Sequence, residues 1–70
     1  MMPLIFAEVG EENIVKRVGG SPAVKKHLED LGFAPGSAVT IISEIGGNVI
    51  VNVKDSRIAI SREMAQKIMV

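Results

Sequence analysis

"IGGNVIVNVKDSRIAIS", Ile45 to Ser61, puts a valine at every second position (Val49, Val51, Val53) between the pairs Gly46-Gly47 and Lys54-Asp55. That period of two is the mark of a strand with one buried face. "SRIAI" continues it, with Ile58 and Ile60 inward on a short further strand. Upstream, Val39, Ile41 and Ile45 fall on one side of a preceding strand, with Ser43 interrupting them. Register then decides which face is covered, because a slip of one residue reverses every side chain. A two-residue Gly46-Gly47 turn sets Val53 opposite Thr40 and exposes half the apolar set. A three-residue Gly46-Gly47-Asn48 loop pairs Ile45 with Val49 and Ile41 with Val53. The expectation is therefore the three-residue loop, with Gly47 or Asn48 at positive φ and a bulge beside it.

Working outward, "SPAVKKHLEDLGF" is the clearest helix. Ser21 can cap the free N–H groups, and Pro22 at the first helical position has no N–H to leave unpaired. Val24, Leu28 and Leu31 make one apolar stripe at i, i+4 and i+7. Gly32 ends the helix in the left-handed conformation, which turns Phe33 back onto Leu28. "APG" then turns the chain into the strand that holds Val39. Before the helix, Asn13 to Val18 reads as one strand closed by Gly19-Gly20; the adjacent Ile14 and Val15 leave open which of them points inward. After the hairpins, Ser61 caps a brief helical turn whose Met64, Ala65 and Ile68 face the core, and "IMV" closes the chain as a last short strand. Short strands separated by turns, with one helix in a connection, give a mainly β (α+β) class: a small barrel, one domain spanning residues 1–70.

Seventy residues bury only about 60% of the surface the unfolded chain exposes, so each apolar position counts. Phe6 and Phe33 are the only aromatics, which leaves Val, Ile, Leu, Ala and Met to build the core. With no cysteine, disulfides, zinc fingers, iron–sulfur clusters and thiol chemistry are excluded. Eight acidic and eight basic residues cancel and are interspersed, unlike the basic stripe of a nucleic-acid binder. No apolar run approaches the roughly 20 residues that cross a bilayer. The opening "MMPLIFAEVGEE" lacks the basic start of a signal peptide. A cytoplasmic protein is expected, without direct membrane insertion, as a monomer or weak homo-oligomer.

The residues that could carry chemistry are few. His27, the only histidine, has Lys26 before it and Glu29 and Asp30 after it, a poor transition-metal set without cysteine or a second histidine. Two of the serines sit where helix caps belong and two where turns belong, so no triad is legible. Glu11–Glu12 and Glu29–Asp30 are adjacent, so their carboxylates diverge. The glycine-rich pieces lack the Lys-Ser/Thr order of a phosphate cradle. No catalytic residue is expected, no confident metal ligand and no resident cofactor. Lys54 and Arg57 read as a solvated tip. What remains is apolar surface: Ile42 and Ile50 face away from the valines, and Leu4, Ile5 and Phe6 form an apolar leader that either covers the fold or meets a partner.

The ordered set "HLEDLGFAPGSAVTI", then "GGNVIVNVKDSRIAISREMAQKI", resembles the FeoA family, small cytosolic proteins of bacterial ferrous-iron uptake. The matching residues are Leu31, Gly32, Phe33, Pro35, Gly36, Val39, Gly47, Val51, Val53, Arg57 to Ile60, Ala65 and Ile68. The resemblance implies an SH3-like β-barrel with one helix inserted between strands and a short C-terminal helical turn. It also implies a non-enzymatic accessory role beside FeoB, the membrane transporter with a cytosolic GTPase domain. The candidate contact surface is the strand face of Ile42 and Ile50 together with the helix edge of Lys26 and His27. The alternative is a metal-responsive module akin to the SH3-like domain of iron-dependent repressors, binding Fe2+ or another divalent ion weakly through carboxylates and His27.

Overall fold

The computed structural model describes all 70 residues. A single 3-10 turn, Leu4–Phe6, leads into β1 (Glu12–Ile14) and β2 (Arg17–Val18), then α1 (Pro22–Leu31). β3 (Ala38–Ile45), β4 (Asn48–Val53) and β5 (Ser56–Ser61) follow, then α2 (Arg62–Ala65) and β6 (Ile68–Met69). Four strands form an antiparallel sheet in the order β1-β3-β4-β5, and β2 pairs with β6 in a second, two-stranded sheet. The helix lies between strands and the helical turn near the C-terminus, as expected. The barrel is open: nothing closes β5 onto another strand.

The segment expected as one strand, Asn13 to Val18, is two. The Val15 N–H still donates to the Ser37 carbonyl in the lead-in to β3, whereas the Lys16 N–H donates to Met69 in β6, both at 2.8 Å. The chain turns a corner between the sheets there. That corner resolves the Ile14–Val15 ambiguity: Val15 is buried and Ile14 is left largely exposed.

α1 forms as read. The Ser21 Oγ accepts from the Val24 N–H at 3.3 Å. At the other end Gly32 has φ +116°, and the Gly32 and Phe33 N–H groups donate to the Glu29 and Leu28 carbonyls, each at 3.0 Å. These two bonds make a Schellman cap, and Phe33 and Leu28 are both fully buried. Ser61 caps α2 in the same way, accepting from the Met64 N–H at 3.1 Å.

The central hairpin differs from expectation. Ile45 is opposite Asn48, so the turn is the two-residue Gly46-Gly47. Gly46 alone has positive φ, +59°, as a type II′ turn requires of its first central residue. The register is restored further along, where Ile42 is an extra residue between the pairs Ile41–Val51 and Ser43–Ile50. This β-bulge shifts the pairing by one, so Val39 meets Val53 and all the valines stay inward. It also reverses the phase of everything between it and the turn. Ile45, expected inward, is 65% exposed.

The core is a single apolar cluster with no buried polar or charged side chain. Val39, Ile41, Val49, Val51, Val53 and Ile60 supply it from the sheet. Leu28 and Phe33 close it from the helix side, and Leu4, Ala65 and Ile68 from the chain ends. The apolar leader is thus divided: Leu4 is fully buried, Ile5 half-buried and Phe6 67% exposed.

Candidate partner-binding surfaces

The outer face of the four-stranded sheet is built in cross-strand rows. Glu12, Thr40, Asn52 and Arg57 form one row, and Ser43, Ile50 and Ala59 the next toward the Gly46-Gly47 turn. Ile42 sits beside the second row as the bulged residue. Ile42 and Ile50 are both half-buried, each still offering part of its side chain to solvent. Ile45 extends the same apolar area to the end of β3. Sequence reasoning missed Ile45 because it assumed unbroken alternation. The adjacent apolar pair Ile41-Ile42 marks the place of the bulge but does not reveal it, because a regular strand also accommodates the two residues, one on each face.

Phe6 and Val9, 67% and 58% exposed, precede β1 and therefore lie toward the Gly46-Gly47 end of the sheet. The Gly10 N–H donates to the Ile41 carbonyl at 2.8 Å, which holds this leader against the bulge. At that end Arg62 and Glu44 make a 2.7 Å ion pair. Both partners are about half exposed, so the pair orients α2 on β3 and contributes little stability.

Lys26 and His27 are exposed on α1, and neither takes part in an ion pair or a side-chain hydrogen bond. α1 places Leu28 into the core that the inner sheet face lines. Its solvent side, with Lys26 and His27, therefore looks away from Ile42 and Ile50. The four residues form two separate surfaces and not one.

Between β1, β3 and β4 lies a shallow cleft of about 340 Å³, lined by polar side chains including Glu12, Thr40, Asn52 and Asp55. It lacks the apolar walls that usually bury a small ligand. No three His, Asp or Glu side chains come together as a metal ion requires. The Ser21 and Ser61 hydroxyls are engaged as helix caps. No helix is long and apolar enough to cross a membrane.

Residues 2–70 match the model of the family described as the FeoA domain. Over 70 residues, 100% of this chain and 85% of the relative, the sequence is 43% identical to "Putative Fe(2+) transport protein A" of Methanocaldococcus jannaschii. A crystal structure described as iron uptake regulatory protein (FeoA) aligns with TM-score 0.89 and 28% identity, covering 99% of this chain and 92% of that one. The zinc complex of Stenotrophomonas maltophilia FeoA, described as a procaryotic SH3 domain protein, aligns with TM-score 0.86 over 100% of this chain and 89% of that one. At 24% identity, that last likeness shows the fold alone.

Proposed function

The chain belongs to the FeoA domain family, and from that premise we propose that it is a non-enzymatic accessory protein of ferrous-iron uptake. It binds the cytosolic, GTPase-containing part of a FeoB-type transporter and modulates Fe(II) transport. The family match over nearly the whole chain carries this reading. The geometry supports a partner-binding role, since the molecule offers apolar surface on the outer sheet face.

The contact is centred on Ile42 and Ile50, with Ile45 at its edge. An apolar centre bordered by polar and charged side chains (Thr40, Ser43, Asn52, Arg57) has the anatomy of a transient protein interface. Lys26 and His27, on the other side, are available to a different segment of the same partner.

The test is ferrous-iron uptake in cells that carry the transporter but lack this chain. Restoration by the native protein is expected. The Ile45→Asp and Ile50→Asp variants, shown to be folded by their thermal melts, are expected not to restore it. Full restoration by both would remove the outer sheet face from the account.

A further inference from the structure

β5 is an edge strand with an unprotected edge. The Arg62 N–H donates to the Gly47 carbonyl at 3.1 Å, and in the β4–β5 register those two residues face each other. Hydrogen-bonded pairs alternate along an antiparallel ladder. Ser56, Ile58 and Ile60 therefore direct their N–H and C=O groups at β4, while Arg57 and Ala59 direct theirs outward. No backbone hydrogen bond outside the strands and helices uses Arg57 or Ala59, and both residues are exposed.

The other edges of this sheet are blunted in the ways folded proteins use against strand addition. β1 is three residues long and begins at Glu12, directly after Glu11. β3 beyond β1 is interrupted by the Ile42 bulge. β5 has neither device. It runs six residues in unbroken register with β4, holds no proline, and carries one charge, Arg57, near its start. Ile58 shows the consequence: it lies on the inner face opposite the fully buried Val51, yet remains half-buried for want of a neighbour on its open side.

We propose that the open edge of β5 is a self-pairing site, where a second copy of this chain adds its own β5 antiparallel and joins two four-stranded sheets into one. The strand's own sequence selects this occupant. With Ala59 opposite Ala59 of the second copy, Arg57 faces Ser61 and Ile58 faces Ile60. The outward-directed N–H and C=O groups then meet, the half-covered Ile58 gains an apolar neighbour, and the two guanidinium groups stay apart. A parallel, in-register pairing would set Arg57 against Arg57. Antiparallel pairs with apolar cross-strand contacts are the stabilising unit of a sheet. Only a few residues pair, so the dimer is weak and forms at high protein concentration.

The proposal is independent of transporter binding, and its test uses the full chain alone. Sedimentation equilibrium at rising concentration is expected to show a monomer–dimer equilibrium. In a mixture of labelled and unlabelled protein, isotope-filtered NOEs are expected between the Hα atoms of Ile58 and Ile60 on different copies. Ala59→Pro removes only an N–H that faces outward, a position where an edge strand tolerates proline, and is expected to yield a folded monomer. Ala59→Lys places two like charges opposite each other across the pair, and is expected to weaken association at least tenfold with an unchanged thermal melt. A monomer at every concentration up to the solubility limit would overturn the proposal. So would a dimer that both variants leave intact, or inter-copy NOEs confined to other elements, including an extended segment other than β5.

Discussion

Two backbone positions show how much this small domain asks of single residues. Gly32, at φ +116°, closes α1, and a Cβ there would lie 3.4 Å from the Val53 and Lys54 side chains. Gly32→Ala should lower stability by about 1–2 kcal/mol, from left-handed strain in an L-residue, as read from urea denaturation at unchanged m-value. The second is the two-residue turn Lys54-Asp55, where both residues have positive φ, +48° and +62°. Such a turn favours Asn-Gly or Asp-Gly. Asp55→Gly should therefore raise stability, by about 0.5 kcal/mol after the added flexibility of the unfolded chain is set against the relieved strain. An unchanged or lower denaturation midpoint would show that Asp55 makes a compensating interaction. The sequence reading identified this tip as solvated but not as strained, because neither Lys nor Asp announces a left-handed backbone as glycine does.

Elements whose boundaries are set by local chemistry were legible; those set by the way sheets meet were not. Ser21-Pro22 and Leu31-Gly32-Phe33 specify the two ends of α1 within a few residues each, and both ends form as read. The same holds for Ser61 at α2. The hairpin misled because local turn preference and facial alternation conflict at Gly46-Gly47. The protein keeps the short turn and resolves the conflict four residues before Gly46, with a bulge at Ile42. The corner at Val15-Lys16 is the same kind of event, a change of hydrogen-bond partner from β3's lead-in to β6. In both places two apolar residues stand side by side, Ile14-Val15 and Ile41-Ile42, and only the topology tells which one is covered. Deleting Ile42 while keeping the turn should leave Ile41–Val51 and Ser43–Ile50 as successive pairs of an unbroken ladder, with Val39 and Ile41 still inward. Deleting Thr40, which does hold a ladder pair with Asn52, should instead turn Val39 to the outer face at a cost of about 1.5–3 kcal/mol, a large part of a marginal domain's stability. Equal thermal midpoints for the two deletion variants would refute the register role given to the bulge.

At the scale of the molecule, the bulge links fold and surface. It keeps Val39 and Ile41 inward with Val51 and Val53, and by the same one-residue shift it turns Ile45 out beside Ile42 and Ile50. The candidate apolar area is thus a by-product of the device that completes the core. Ile42 and Ile50 could be named from alternation alone. Their separation from Lys26 and His27 could not, because it depends on which side of the core α1 occupies. The most direct test is a titration of the 15N-labelled protein with the cytosolic GTPase-containing domain of the transporter, followed by amide chemical shifts. Saturable shifts are predicted at Ile42, Ser43, Ile45 and Ile50, absent in the Ile45→Asp and Ile50→Asp variants. No shift at any residue up to the solubility limit would contradict direct binding, and shifts confined to α1 would contradict the surface assigned to it.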